Sequence, residues 1–228
     1  MLKKDLIEKN PIRHLKGEGG TQDAGRMGLV MARAGVGKTA LLVQIALDSL
    51  LNDKQVVHVS VGQTIDKTKL WYEDMFKDIA AGCGLENAGA IHDEIMRHRM
   101  IITFNEAKFS RAKVEERLND LIQQNVIHPS CMVVDGFDFG KTDRAVLEEV
   151  QVMARAMNLN VWFSALCEDD STACHGMDDL FDTVVVLQPA PEKGCLDLNI
   201  VKGSSAVSKC GKLLKLDPIT FMIKESCD

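Results

Sequence analysis

The chain has 228 residues, of which 46% are apolar and 26% are charged, and its formal net charge is −6. This length and apolar content suffice for the core of one α/β domain without disulfide bonds. The negative charge disfavours tight binding to nucleic acid, which usually needs a basic face. The sequence has no uncharged apolar run of about 18 residues and no apolar signal core near Met1, so we expect a cytoplasmic protein with no membrane partner.

The seven cysteines are irregularly spaced and form no Cys-x-x-Cys pair, which indicates reduced thiols rather than a zinc or redox motif. Residues 1–25 are predicted to be an N-terminal arm and linker, because residues 17–25 contain four glycines. The arm is basic, which is typical of a solvated terminus, a subunit-docking arm or a nucleic-acid arm. Residues 26–228 are predicted to form the nucleotide-binding domain.

Strands and helices are predicted to alternate along the first part of this domain. The predicted strands are 27–31, 55–61, 100–104, 131–135 and 160–166. The predicted helices include 40–47, 64–81, 85–98, 110–124 and 144–157. Several of the strands are apolar throughout, as in strands buried on both faces. This alternation favours βαβ units and a mostly parallel central sheet.

The C-terminal part has a different pattern. Four short strands are predicted with no helix between them, at 183–187, 195–201, 212–216 and 220–224. Consecutive strands joined by short connections pair in antiparallel fashion. We therefore expect C-terminal hairpins that extend the parallel sheet.

A phosphate-binding loop is predicted between the first strand and the first helix of the domain. The segment reads Ala32-Arg33-Ala34-Gly35-Val36-Gly37-Lys38-Thr39, and its first position departs from the P-loop pattern, which has Gly there. Loop N–H groups and a helix N-terminus bind anions, while the Lys reaches the β- and γ-phosphates. The predicted nucleotide contacts are Arg33, Ala34, Gly35, Val36, Gly37, Lys38, Thr39 and Ala40, with Lys38 also a catalytic candidate.

Asp135 is the candidate acid on the metal side of this site. It ends the apolar strand 131–135, and ligands of open α/β sheets collect at the carboxyl ends of the strands. A carboxylate there can hold Mg²⁺ directly or through water, together with the hydroxyl of Thr39. The sequence thus predicts ATP and Mg²⁺ as cofactors, with Thr39 and Asp135 as metal ligands.

The order of these motifs resembles the RecA-like ATPase core, especially its KaiC-like and DnaB-like branches. The resemblance covers about residues 26–224 and is carried by Gly35-Val36-Gly37-Lys38-Thr39, Val133-Val134-Asp135, the helix and strand within 147–165, and Ile200-Val201-Lys202-Gly203. It implies a three-layer α/β fold and ATP hydrolysis. It also implies a ring or filament of identical subunits, with the nucleotide near the subunit boundary.

Three positions depart from that family. Gly62 stands where the catalytic Glu is common, and Gln63 follows it as a residue that could orient the attacking water. The strand 163–166 lacks the usual Gln or His sensor, and Gly203 follows Lys202 where the family often has Asn. These differences predict slow hydrolysis with a regulatory or assembly role.

Two other functions are compatible with the sequence. Without the Glu and the sensor, the chain could be a non-hydrolysing nucleotide-sensing or scaffolding module. The loop is also similar to the deviant P-loop of MinD/ParA-like ATPases, with Arg33 at the position of their signature Lys. DNA translocation is disfavoured, because the loop 168–179 carries five acidic residues and no Lys or Arg.

Overall fold

An eight-stranded sheet lies at the centre of the computed structural model, which describes residues 3–8, 10, 25–105, 109–167, 176–191, 194–203 and 213–224. Its strands are β1 (Met27–Ala32), β2 (Val56–Val61), β3 (Arg99–Phe104), β4 (Cys131–Asp135), β5 (Asn160–Leu166), β6 (Thr183–Pro189), β7 (Leu196–Lys202) and β8 (Leu213–Leu216). The order is β3-β2-β4-β5-β1-β6-β7-β8. All neighbours are parallel except β6–β7 and β7–β8. The predicted α/β class, mostly parallel sheet and C-terminal antiparallel strands are confirmed.

Within the described residues, six α-helices accompany the sheet: α1 (Lys3–Glu8), α2 (Lys38–Leu51), α3 (Ile65–Cys83), α4 (Ala88–Met96), α5 (Arg111–Gln123) and α6 (Arg144–Ala156). Two hydrophobic clusters lie against the sheet. One joins its first face to α2, α3 and α4, and the other joins the opposite face to α5 and α6. The described residues therefore form helix, sheet and helix layers, as the alternating pattern predicted.

Local sequence signals explain where several helices begin and end. The hydroxyl of Thr64 accepts a hydrogen bond from Lys67 N at 3.3 Å, and that of Ser110 accepts one from Lys113 N at 3.4 Å. Both residues precede the first residue of a helix, where Ser and Thr satisfy free N–H groups. Helix α3 ends at Cys83 and is followed by Gly84, whose φ of 58° is the left-handed conformation of many helix C-caps.

Helix α2 is the most buried helix, because every residue from Ala40 to Leu51 is buried. It packs against α1, α3 and four strands of the sheet. A largely apolar helix that is buried on all sides is stable only inside a protein. Its N-terminus, which starts at Lys38, is consequently held at a fixed place beside β1.

The predicted strand 220–224 is wrong. Residues 218–220 form a turn, and the only pairing of this segment within the described residues is an isolated bridge between Leu216 and Ile223. The cause is Asp217, whose side chain accepts hydrogen bonds from Ile219 N at 3.0 Å and Thr220 N at 2.8 Å. Asp before Pro favours such a turn over a continued strand. We call residues 217–224 the C-terminal turn.

The N-terminal helix α1 packs on its own chain. Leu6 is buried, and the ammonium of Lys3 lies 2.7 Å from the Asp53 carboxylate and 3.0 Å from that of Glu94. The predicted glycine-rich linker lies outside the described residues, apart from Gly25. The start of the basic arm is thus engaged within the chain.

The expectation of reduced thiols is correct for Cys83, Cys131 and Cys167, which form no disulfide bond. It is wrong for Cys195, which is disulfide-bonded. The irregular spacing of the cysteines carried no information on this bond, because pairing depends on distances in the fold.

Candidate functional site

A glycine-containing loop of residues 33–37, which we call the glycine loop, connects β1 to α2. Gly35 and Gly37 have φ values of 79° and 115°, in the left-handed region that favours glycine. A Cβ at Gly35 would meet no atom within 4 Å, so the loop is open on that side. Residues 33–35 are exposed, Val36 to Thr39 are half-buried and Ala40 is buried.

Ala32, which departs from the glycine of the P-loop pattern, belongs to β1. It is buried and pairs in register with Leu166 on β5 and Leu187 on β6. Its carbonyl accepts a hydrogen bond from Cys167 N at 3.0 Å. Regular strand conformation is open to any L-residue, so this position does not need glycine.

Thr39 and Asp135 meet at the carboxyl edge of the sheet. The Thr39 hydroxyl donates a hydrogen bond of 2.7 Å to Asp135 Oδ2, although 96 residues separate the two in the chain. The Ser164 hydroxyl donates one of 2.6 Å to Asp135 Oδ1. Ser164 can do so because β5 lies between β1 and β4. The Asp135 carboxylate, which is only 4% exposed, is thus held on both oxygens.

Lys38 is directed back along the glycine loop. Its Nζ donates to the carbonyl of Arg33 at 3.3 Å. Burial lowers the pKa of Lys38, while the nearby Asp135 carboxylate and the Cys167 thiol act in the opposite direction. The ammonium group therefore lies close to the acid and to the N-terminus of α2.

Sequence reasoning missed Ser60 and did not single out Ser164. Ser60 is the register partner of Asp135 across β2 and β4, so the two side chains lie on the same face of the sheet. Its hydroxyl is buried and has no hydrogen-bond partner in the described part of the chain. The signal was the spacing of His58 and Ser60, two polar residues two apart in an otherwise apolar strand. The strand 163–166 has no Gln or His sensor, but its Ser164 contacts the acid.

His58 extends this polar face away from the glycine loop. It is buried, and its Nδ1 lies 3.0 Å from the hydroxyl of Tyr72 on α3. The guanidinium of Arg99 lies 4.5 Å from the centre of the Tyr72 ring. Burial lowers the pKa of His58 to about 4, Arg99 acts in the same direction, and the Asp135 carboxylate opposes them. The imidazole is therefore neutral near pH 7.

Gly62 and Gln63 lie in the connection between β2 and α3, at the same edge of the sheet. Gly62 has a φ of 73°, and its N–H donates to the Phe104 carbonyl at 2.9 Å. Gln63 makes no hydrogen bond to Thr39 or Asp135 within the described residues. The structure thus brings Lys38, Thr39 and Asp135 together and does not join Gln63 to them.

Lys202, which belongs to the segment 200–203 of the RecA-like resemblance, contacts its own chain. Its ammonium donates to the carbonyls of Asp178 and Asp179 at 3.3 and 3.1 Å. Asp179 also forms an ion pair with Arg144 at the start of α6. Most of the acidic loop 168–179 lies outside the described residues.

Comparison with protein-family models and with curated proteins identifies no relative of this chain. The chain matches no protein-family model, and no curated protein is significantly similar to it. Among the described helices, none combines the length and apolar character that crossing a bilayer requires. The same part of the chain has no group of three or more His, Cys, Asp or Glu side chains that could hold a metal ion unaided.

Proposed function

We propose that this chain is a Mg·ATP-binding protein with a RecA-like core, and that it hydrolyses ATP slowly in a regulatory or assembly role. The observation that supports this most is the 2.7 Å contact between Thr39 and Asp135 beside the glycine loop. A hydroxyl and a carboxylate at the start of a helix and the end of a neighbouring strand are the donors that Mg²⁺ with bound phosphates prefers.

The residues present fit such a ligand. N–H groups in the first turn of α2 have no partner within the helix, and the open side of Gly35 leaves room for a phosphate. The buried hydroxyl of Ser60 is a further polar group on the face of Asp135 without a partner among the described residues. When bound, Mg²⁺ would neutralise phosphate charge, with Thr39 and Asp135 as the residues that hold it.

The role of Lys38 in this proposal is electrostatic. Its ammonium donates to the Arg33 carbonyl, and a phosphate would replace this neutral acceptor with an anionic one. Burial also raises the strength of its interaction with an anion, because the local dielectric constant is lower than in water. Lys38 is therefore the residue whose loss should weaken binding most.

Thermal unfolding with and without Mg·ATP tests the binding proposal. A ligand at about 100 times its Kd stabilises a protein by roughly 2.7 kcal/mol, so the wild-type Tm should rise. Lys38→Ala should lose this rise, whereas Lys69→Ala, at an exposed position on α3, should keep it. If no concentration of Mg·ATP changes the wild-type Tm, the proposal is wrong.

A non-hydrolysing nucleotide-sensing module is the second candidate, and Gly62 favours it. The residue directly after β2 has no side chain, and its left-handed φ favours glycine there. Phosphate release over hours separates the two functions. If wild type releases no more phosphate than Lys38→Ala does, the chain does not hydrolyse ATP, and the sensing function is the one that stands.

Light scattering with and without Mg·ATP tests the assembly of identical subunits.

A further inference from the structure

Phe221 of the C-terminal turn lies directly against the glycine loop. A Cβ built on Gly37 would be 2.4 Å from Cζ of Phe221 and 2.8 Å from its Cε1. The end of the aromatic ring therefore occupies the space beside the Gly37 Cα. The ring is 4% exposed and belongs to the same hydrophobic cluster as α2. Gly37 immediately precedes Lys38 and Thr39, so this contact is made next to the candidate site.

The backbone of Phe221 indicates that this contact is enforced. Its φ is 55°, a conformation that is unfavourable for a bulky aromatic residue. Such a conformation persists where the surroundings over-determine it. Here Phe221 N donates to the Asp217 carbonyl at 2.9 Å, and Asp217 N donates to the Met222 carbonyl at 2.9 Å.

The C-terminal turn is also tied to the elements on either side of it. Ile223 bridges to Leu216 at the end of β8, and the side-chain amide of Gln44 on α2 lies 2.8 Å from the sulfur of Met222. These contacts leave the turn little freedom to move independently of α2. The turn that carries Phe221 is thus held both by β8 and by α2.

We infer that Phe221 is a positioning residue, which holds Gly37 and the glycine loop in the ligand-ready conformation. The loop has an open side at Gly35 and a closed side at Gly37, and Phe221 supplies the closed side. Without the ring, Gly37 can leave its φ of 115°, because glycine has many other conformations. The identity of the ligand rests on the proposed function. The effect of Phe221 on the rigidity of the glycine loop does not depend on it.

Two measurements on Phe221→Leu test this inference. The first is hydrogen exchange of the peptide that covers residues 33–39, without nucleotide. The second is the Kd for Mg·ATP by calorimetry. We expect faster exchange of this peptide and a Kd about tenfold higher than that of wild type. Leu198→Ala is the matched control, because it removes buried apolar volume from β7, which does not pair with the C-terminal turn.

Phe221→Tyr is the second variant, and it covers the case in which the leucine variant does not fold. The new hydroxyl would be on Cζ, the atom nearest to Gly37, so this nearly isosteric change should also disturb the loop. Exchange at 33–39 that stays as in wild type in the folded Phe221 variants would overturn the inference. So would an equal increase in Leu198→Ala. If wild type fails to bind Mg·ATP, the proposed function fails, and the exchange data still decide the role of Phe221.

Discussion

The hydroxyl of Thr39 donates to a buried oxygen of Asp135 at 2.7 Å, and this hydrogen bond links the start of α2 to the end of β4. Asp135 has a second donor in Ser164, so each of its carboxylate oxygens accepts a hydrogen bond. A buried acceptor that loses its donor is costly, whereas a hydroxyl that had no partner costs little to remove. This asymmetry allows the roles of the surrounding hydroxyl groups to be measured separately.

Thr39→Val should destabilise the ligand-free protein by about 1 to 3 kcal/mol, because Asp135 Oδ2 would keep its burial and lose its donor. Thr39→Ser retains a hydroxyl and should stay close to wild type. Urea unfolding measures both free energies of unfolding. A valine variant as stable as the serine variant would show that the hydrogen bond does not contribute to stability.

Ser164→Ala and Ser60→Ala form a matched pair of identical substitutions at buried positions. Ser164→Ala removes the donor to Asp135 Oδ1 and should cost about 1 to 3 kcal/mol, whereas Ser60→Ala removes no hydrogen bond and should be nearly neutral. The order of the two variants should reverse in the ligand assay. If Ser60 serves the site, Ser60→Ala reduces the Mg·ATP-induced rise in Tm more than Ser164→Ala does.

The sequence predicted the elements well where hydrophobic pattern and turn chemistry agreed. The strand 131–135 and the helix capped by Ser110 were located because apolar runs and caps are local signals. The C-terminal turn was not, since Thr220 to Lys224 has the composition of a strand and Asp217 lies outside that run. Its side-chain hydrogen bonds, rather than the apolar residues that follow, determine the backbone there.

The candidate site was predictable only where a residue belongs to a motif. Lys38, Thr39 and Asp135 carry such signals, whereas Ser60 depends on strand register. That Ser60 lies opposite Asp135 follows from the pairing of β2 with β4, which are 70 or more residues apart in sequence. Pairing between distant segments is decided by tertiary packing and is not encoded in a local window.

Gly136→Ala should be among the most destabilising small substitutions next to the site. Gly136 has a φ of 82°, and a Cβ there would lie 2.4 Å from the Val61 carbonyl oxygen. The strained φ costs about 1 to 2 kcal/mol, and the steric overlap adds about 1 to 3 kcal/mol. Gly35 has a similar φ, but a Cβ there would meet no atom within 4 Å, so Gly35→Ala should show only the cost of the strained φ. Equal losses in urea unfolding would contradict the predicted overlap with Val61.

His58 should make stability depend on pH between its folded and unfolded pKa values. Burial lowers the pKa of His58 to about 4, below its ordinary value of 6.5. As the pH falls through this range, the unfolded chain takes up a proton that folded His58 does not. The free energy of unfolding should therefore decrease toward acid, by up to about 1.4 kcal/mol per pH unit from this group.

His58→Gln removes the titrating group and keeps a side-chain amide near the hydroxyl of Tyr72. Its free energy of unfolding should fall less steeply with acid than that of wild type, because one fewer proton is taken up on unfolding. His128→Gln, at an exposed position, is the control and should keep the wild-type dependence. Urea unfolding between about pH 4 and 7 measures all three slopes. A His58 variant with the wild-type slope would show that His58 does not cause the acid sensitivity.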